Sequence, residues 1–223
     1  MSSARRAAVA IVVVATTALL AACAPDPPGG VVGLVIDSCD PGNDTGSGIV
    51  VAPGLALTSA HVLAGAQGIT VLHGSRSLAG EIVAFDPEMD LAYVAFEGRA
   101  ARSLTIDSDH VDAGDTGTAW VVRDREVVPV PVTVRRRVTI RTEDIYIQGE
   151  TLRPGFELDA DIRAGDSGAA VVVDGRVAGV IWARSNRFEN RAYAMDAVRA
   201  AGLVDEQLRT GELGPDVDIA RCH

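Results

Sequence analysis

Residues 46–63 read Gly-Ser-Gly-Ile-Val-Val-Ala-Pro-Gly-Leu-Ala-Leu-Thr-Ser-Ala-His-Val-Leu, and residues 164–168 read Ala-Gly-Asp-Ser-Gly. In the first stretch a Pro-Gly turn joins two apolar runs, and the second run ends at His61. In the second stretch a glycine-flanked serine comes directly before the apolar run 169–173. Both patterns predict short strands joined by tight turns, with one reactive side chain at a strand end in each.

The same pattern continues outward from these two stretches. Short apolar or alternating runs of strand length are separated by turn residues, which is typical of an all-β barrel or sandwich. A polar connector over residues 98–114 divides the runs into two sets, and the apolar spacing over residues 196–208 predicts a C-terminal helix. The expected strands cover residues 31–36, 48–51, 69–72, 78–85 and 91–96 in the first set and 116–122, 127–134, 138–147, 156–159, 169–173, 177–182 and 191–195 in the second.

The two opening stretches together resemble a known family. Leu-Thr-Ser-Ala-His at residues 57–61 is similar to the Thr-Ala-Ala-His signature of trypsin-like serine proteases, and residues 165–168 carry that family's Gly-Asp-Ser-Gly string. The resemblance implies two six-stranded antiparallel β-barrels of the chymotrypsin-like type, followed by the helix. It also implies a serine endopeptidase that needs no cofactor or metal. A catalytically inactive binding module on the same fold is the alternative.

The resemblance implies a catalytic triad of His61, Asp90 and Ser167, in the chain order of the family. The near-neutral pKa of an imidazole suits His61 to general base work, although a lone histidine is more often structural. Asp90 precedes the apolar run 91–96, whereas Asp86 is a competitor whose default role is surface solvation. The backbone N–H groups of Gly165 and Ser167 would form the oxyanion hole.

The specificity pocket is also inferred from the resemblance. Asp161, six residues before Ser167, would lie at the base of the pocket and favour a basic substrate side chain. Trp182 would line the pocket, since Ile-Trp-Ala at residues 181–183 is similar to the family's Ser-Trp-Gly. Arg191 stands about where relatives keep a glycine, and it would pair with Asp161 and fill the pocket. Residues 169–170 are Ala-Ala where the family usually has Gly-Pro.

The N-terminal residues indicate export. Arg5 and Arg6 precede an apolar stretch that is short for a membrane span but typical of a secretory signal. Leu-Ala-Ala-Cys at residues 20–23 resembles a bacterial lipobox, which implies a signal peptide over residues 1–22 and a lipid on Cys23. Ordinary cleavage after Ala24 is the alternative. A tether over residues 23–30 then leads to a protease domain over residues 31–223, with barrels over about 31–110 and 111–196 and a helix and tail over 197–223.

Three cysteines are an odd number. If Cys23 carries lipid, Cys39 and Cys222 remain as a candidate disulfide in an exported protein, and two unpaired thiols are the alternative.

The formal charge of −10 argues against nucleic acid as a partner, because phosphate binding needs a basic surface. The run Arg135–Arg137 is expected at a solvated strand edge. The expected partners are protein or peptide substrates of a monomer held by lipid on the outer side of the cell membrane.

Within the family, the chain is similar to bacterial periplasmic membrane-anchored proteases of the acid-resistance type. The early cysteine, residues 162–167 and the cysteine near the C-terminus carry this similarity. Relatives of this group have a multi-helix membrane domain, which a lipid would replace here. Val-Val-Gly-Leu at residues 31–34 faintly resembles the start of activated digestive relatives, whose free amine pairs with the aspartate before the nucleophile, here Asp166. We expect residues 31–34 to form the first strand instead.

Overall fold

The apolar runs form twelve strands that close into two antiparallel six-stranded barrels, which confirms the expected fold class. The computed structural model describes residues 28–38, 43–97, 102–210 and residue 219. In the first barrel β1 pairs with β4 to close the order β1-β2-β3-β6-β5-β4. Its strands are β1 (Val31–Ser38), β2 (Asn43–Ala52), β3 (Leu55–Thr58), β4 (Ala66–His73), β5 (Arg76–Asp86) and β6 (Leu91–Phe96).

The second barrel repeats this order, and β7 pairs with β10 to close β7-β8-β9-β12-β11-β10. Its strands are β7 (Thr116–Arg123), β8 (Glu126–Glu143), β9 (Glu150–Asp159), β10 (Ala170–Val173), β11 (Arg176–Arg184) and β12 (Arg191–Asp196). A single α-helix within the described residues, α1 (Val198–Thr210), follows the last strand.

The hairpin of β8 and β9 is longer than the sequence indicates. Two expected strands are one 18-residue strand, β8, in which the register against β9 shifts between Val134 and Arg136. Such a bulge lets a long strand bend without ending. β9 begins at Glu150, because Pro154 and Gly155 continue the pairing with β8 where a Pro-Gly pair usually marks a turn. Residues 138–155, which include the hairpin loop, are called the β8–β9 arm below.

Three apolar clusters hold the fold together. One fills each barrel, as alternation along β1 shows: Val32, Leu34 and Ile36 are buried in the first barrel's cluster. The third cluster lies between the barrels and joins Ile49 and Leu57 from the first to Trp120, Val180 and Met195 from the second. The active-site segments described below converge beside this shared core.

The helix α1 crosses back to the first barrel. Ala197 and Ala200 are buried in the cluster between the barrels, and the Tyr93 hydroxyl donates a hydrogen bond to Ala200 O at 3.1 Å. Among the residues that the structure describes, no helix has the length and apolar character needed to cross a membrane.

The run Arg135–Arg137 lies where β8 pairs with β9 alone, and these side chains are largely solvated. Their ion-pair partners are Glu157, Asp159 and Asp196. This is the solvated strand edge that the charge pattern indicates.

Candidate active site

His61 and Asp90 are in direct contact. His61 lies in a 3₁₀ turn (Ala60–Leu63) that follows β3, and its imidazole is 34% exposed. The imidazole Nδ1 is 2.7 Å from Asp90 Oδ2, and the His61 backbone N–H donates to Asp90 Oδ1, also at 2.7 Å. Because an ionised carboxylate only accepts hydrogen bonds, Nδ1 carries the proton and Nε2 presents its lone pair. The imidazole is therefore held in the tautomer that a general base requires.

Asp90 is fully buried at the end of the turn between β5 and β6. Its φ angle is +56°, in the left-handed region that Asp tolerates better than most residues. Asp86 begins the same turn, and its Oδ1 accepts hydrogen bonds from Glu88 N at 2.9 Å and Met89 N at 2.8 Å. The two candidate aspartates therefore differ in role, since Asp86 shapes the turn and Asp90 contacts the histidine.

The loop of residues 164–168, called the serine loop below, is joined to the segment before His61 through a shared carbonyl oxygen. Ile181 O accepts hydrogen bonds from Gly168 N at 2.9 Å and from the Ser59 hydroxyl at 3.0 Å. Ser167 O accepts one from Ser47 N at 2.8 Å. Residues next to Ser167 and residues next to His61 are thus joined at β11, in the groove between the barrels.

Ser167 itself is half-buried at the apex of its turn. Within the described residues no hydrogen bond joins its hydroxyl to His61, a contact that is often loose in substrate-free enzymes. Gly165 has a φ angle of +89°. Among the residues that the structure describes, no group accepts a hydrogen bond from the backbone N–H of Gly165 or of Ser167. Both N–H groups are therefore available to an incoming oxygen.

The pKa of His61 is raised above its ordinary value. Burial lowers this pKa, but the Coulombic attraction of Asp90 and the hydrogen bond to it together outweigh burial, while Arg153 opposes protonation. The site therefore favours the imidazolium that forms when the histidine accepts a proton.

Asp166 is held by a cation from β7. Arg123 Nε and Nη2 donate to the two carboxylate oxygens at 2.9 Å and 2.5 Å, and Arg163 N adds a third bond at 2.8 Å. The hydrogen bond to Asp166 is the main cause that raises the pKa of Arg123. This bidentate pair fixes the turn that carries Gly165 and Ser167. Val31 begins β1, as expected. In the described structure Asp166 pairs with the side chain of Arg123.

An open cavity of about 730 Å³ is lined by residues 160–162, which precede the serine loop, and by residues 184–191. Asp161 and Arg191 both line it, whereas Trp182 packs edge-on against Tyr193 with ring centroids 6.5 Å apart. The expected pair between Asp161 and Arg191 is wrong. Asp161 is exposed and bonds Arg163 at 2.7 Å, which holds the pKa of Asp161 below its usual value.

Arg191 instead bonds the buried Glu157 and lies 3.5 Å from Asp159. The reason is strand register: Arg191 is opposite Asp159 on β9, and Glu157 is the diagonal neighbour on that strand. Burial raises the pKa of Glu157, but hydrogen bonds from Arg136 and Arg191 outweigh burial and lower it overall.

Sequence reasoning missed Arg123, Arg153 and Glu157. Arg123 ends β7, far from Asp166 along the chain, so only tertiary structure reveals the pair. Arg153 and Glu157 are charged residues at buried positions of β9, and only the structure reveals that burial. Cys23, Cys39 and Cys222 lie outside the described residues, as does the signal region. No cluster of metal-ligating side chains occurs within residues 28–38, 43–97, 102–210 and 219.

Two barrels with a histidine–aspartate pair and a Gly-Asp-Ser-Gly turn in the groove between them define the chymotrypsin-like class of serine hydrolases. The chain belongs to the trypsin-like peptidase domain family, whose model matches residues 46–180. It is 26% identical over 160 residues to serine protease Rv3671c of Mycobacterium tuberculosis, covering 70% of this chain and 40% of that protein. It is 30% identical over 173 residues to a probable periplasmic serine endoprotease DegP-like of Pseudomonas fluorescens, covering 74% of this chain and 35% of that protein.

The chain spans less than half the length of either relative. Among solved structures, the active form of the Rv3671c protease superposes with a TM-score of 0.76 at 24% identity, covering 87% of this chain and 86% of that one. The HtrA-type protease AlgW with a tripeptide gives a TM-score of 0.72 at 22% identity, covering 83% of this chain and 62% of that one. At these identities the superpositions establish a shared fold.

Proposed function

We propose that this chain is a serine endopeptidase that hydrolyses peptide bonds through an acyl-enzyme, with His61, Asp90 and Ser167 as its triad. The observation that carries the proposal is the contact of both Asp90 oxygens with His61, one at the imidazole and one at the backbone. A buried carboxylate placed this way fixes the tautomer of the imidazole and stabilises the imidazolium.

In the acylation step the Ser167 hydroxyl attacks the substrate carbonyl carbon, and its proton passes to His61 Nε2. The Gly165 and Ser167 N–H groups donate to the oxyanion that forms. His61 then gives the proton to the leaving amine as the C–N bond breaks. In the deacylation step a water molecule loses a proton to His61 and attacks the acyl carbon. The bond from that carbon to the Ser167 oxygen breaks, His61 returns the proton to this oxygen, and the carboxylic acid product is released.

The charges of the cavity argue against a preference for basic side chains. Asp161 is already paired with Arg163, and the lining carries three guanidinium groups and two carboxylates, namely Arg184, Arg187, Arg191, Asp161 and Glu189. Because the Asp161 carboxylate is already paired with Arg163, a cation entering the cavity would gain little from it. Profiling the soluble domain with a peptide library checks this: we expect no enrichment of Lys or Arg before the cleaved bond, and strong enrichment would contradict it.

The rival is an inactive binding module on the same fold. A fluorophosphonate probe separates the two, because it reacts only with a serine activated by a neighbouring base. We expect labelling of the wild type, none of Ser167→Ala, and full labelling of Ser75→Ala, a control at an exposed serine in the β4–β5 turn. A folded wild type that is not labelled would favour the binding module.

The proposed setting is the outer side of the cell membrane, where a lipid on Cys23 tethers a monomeric domain. The lipobox-like residues 20–23 support this, and one relative is named a periplasmic endoprotease. Mass spectrometry of the N-terminus from the membrane fraction tests it: diacylglyceryl-modified Cys23 is expected, and a mature chain starting after Ala24 would replace the anchor with simple secretion. Light scattering of the soluble domain tests the proposed monomer: the measured mass should be that of one chain, and the mass of a larger assembly would contradict it.

A further inference from the structure

Arg153 is a buried charge that none of the steps above uses. It lies in β9 and is 1% exposed, whereas its neighbour Leu152 is 52% exposed. The strand therefore directs a guanidinium inward and a leucine outward, which is the reverse of what hydrophobic burial alone favours. An arginine is almost never fully buried unless it is paired, so specific partners must hold it there.

The hydrogen-bond and ion-pair partners of Arg153 all belong to the turn between β5 and β6 of the other barrel. Arg153 Nε donates to Glu88 O at 2.6 Å, and Nη2 donates to Pro87 O at 3.2 Å. Nη1 lies 3.8 Å from Asp90 Oδ2. The planar fork of a guanidinium suits this arrangement, because one rigid group reaches two carbonyls and a carboxylate together.

The turn needs such support, because it ends in a strained residue. Asp90 has a φ angle of +56°, in the left-handed region that costs most residues other than glycine about 1–2 kcal/mol and costs Asp less. The β8–β9 arm also contributes Ile145, whose N–H donates to Pro87 O at 3.2 Å. On the far side the Trp182 ring centroid lies 5.3 Å from the Arg153 guanidinium carbon. The arm therefore contacts the turn through both a side chain and a backbone amide.

We propose that Arg153 is a positioning residue, which clamps the β5–β6 turn from the opposite barrel and thereby fixes the Asp90 carboxylate against His61. The inference rests on the proposed peptidase function where it is tested by kinetics. Its second test, by NMR, requires only the contact between His61 and Asp90.

The charge of Arg153 also acts on His61. The charged groups facing Arg153 are Asp90, Asp86 and Asp144, and those facing His61 are Asp90 and Arg153. Asp90 raises the pKa of the imidazole and Arg153 lowers it. Removing the guanidinium charge alone would raise the pKa of His61 further, whereas loosening the Asp90 contact would lower it.

The test compares Arg153→Met, which removes the charge, with Arg153→Lys, which keeps it but cannot reach both carbonyls. Arg141→Met is the matched control, since Arg141 lies on the same arm and pairs with Glu150 at the exposed surface. We expect kcat/KM to fall between about tenfold and a hundredfold in both Arg153 variants. The acid limb of the kcat/KM profile moves to lower pH in Arg153→Lys, because the charge is kept while the Asp90 contact loosens. It lies at higher pH in Arg153→Met than in Arg153→Lys, because the opposing charge is gone. The control matches wild type.

The second measurement needs no activity. In a Ser167→Ala background, NMR titration of the His61 imidazole should give a lower pKa with Arg153→Lys than with Arg153, because the charge is kept and the Asp90 contact is loosened. Lower thermal stability with unchanged imidazole pKa and unchanged acid limb would mean a merely structural role and would overturn the proposal, as would wild-type kcat/KM in Arg153→Lys. An inactive wild type in which the imidazole pKa still shifts would instead contradict the proposed function alone. If Arg153→Met does not fold, Arg153→Lys decides through its kcat/KM.

Discussion

Burial of His61 and the charge of Arg153 both lower its pKa, but the contact with Asp90 outweighs them and raises it. Only the neutral imidazole can accept the serine proton, so activity should depend on a single group whose pKa lies above the ordinary 6.5. Below that pKa, kcat/KM of a fluorogenic peptide should fall about tenfold per pH unit. Circular dichroism across the same range is the control for unfolding. An apparent pKa below the value for a free imidazole would contradict the assignment of Asp90 as its partner.

Gly168, directly after Ser167, should tolerate no side chain. Its φ angle is +82°, and a Cβ atom there would collide with the Thr58 hydroxyl and the Ser47 carbonyl. We expect Gly168→Ala to lower the free energy of unfolding in urea by about 3 kcal/mol or more. Gly175→Ala is the control, because its φ angle of +75° is similar but its Cβ would enter open space. That variant should lose about 1–2 kcal/mol, and equal losses in the two variants would refute the steric explanation.

At this scale the sequence could indicate residues but not their partners. The signature around His61 and the apolar run after Asp90 predicted two side chains that the structure places in contact. The family resemblance suggested a pair of Asp161 and Arg191, yet strand register places Arg191 against Glu157. A buried arginine such as Arg153 breaks the usual polarity rule, so sequence patterns alone would assign it to the surface.

Strand β7 holds the serine loop through one ion pair. Asp166 is buried, and Arg123 supplies its cation. Arg123→Met should lower the free energy of unfolding by about 3 kcal/mol and reduce kcat, because an uncompensated carboxylate remains inside. Arg176→Met, which breaks a solvated pair with Asp107, should cost less than about 1 kcal/mol. Chemical denaturation and single-turnover kinetics measure both effects. If Arg123→Met/Asp166→Asn is no more stable than Arg123→Met, the charge argument is wrong.

For whole elements, alternation of apolar residues was sufficient to locate most strands. β6 was predicted with the bounds it has, and β5 and β7 within two residues at each end. β8 and β9 were underestimated, because arginines and a Pro-Gly pair in the middle of a hairpin look like a turn in the sequence. Pairing across the hairpin overrides that local signal, and the bulge after Val134 absorbs the irregularity.

The two barrels should unfold together. Their shared cluster joins Ile49 and Leu57 to Val180 and Met195, and α1 is bonded to β6 through Tyr93. Leu57→Ala should therefore cost about 2–5 kcal/mol and destabilise both barrels equally. Both tryptophans lie in the second barrel, so their fluorescence reports on it, while amide exchange in β1 reports on the first. Separate transitions for the two probes would show that the barrels are independent.

The ion pair of Asp166 has a practical consequence for handling the protein. Its positive partner is a side chain of β7 and not an α-amino group, so nothing in the serine loop requires a particular chain start. We therefore expect that a tag or linker fused ahead of Pro28, which keeps the contacts of residues 28–30, needs no proteolytic removal before activity is assayed.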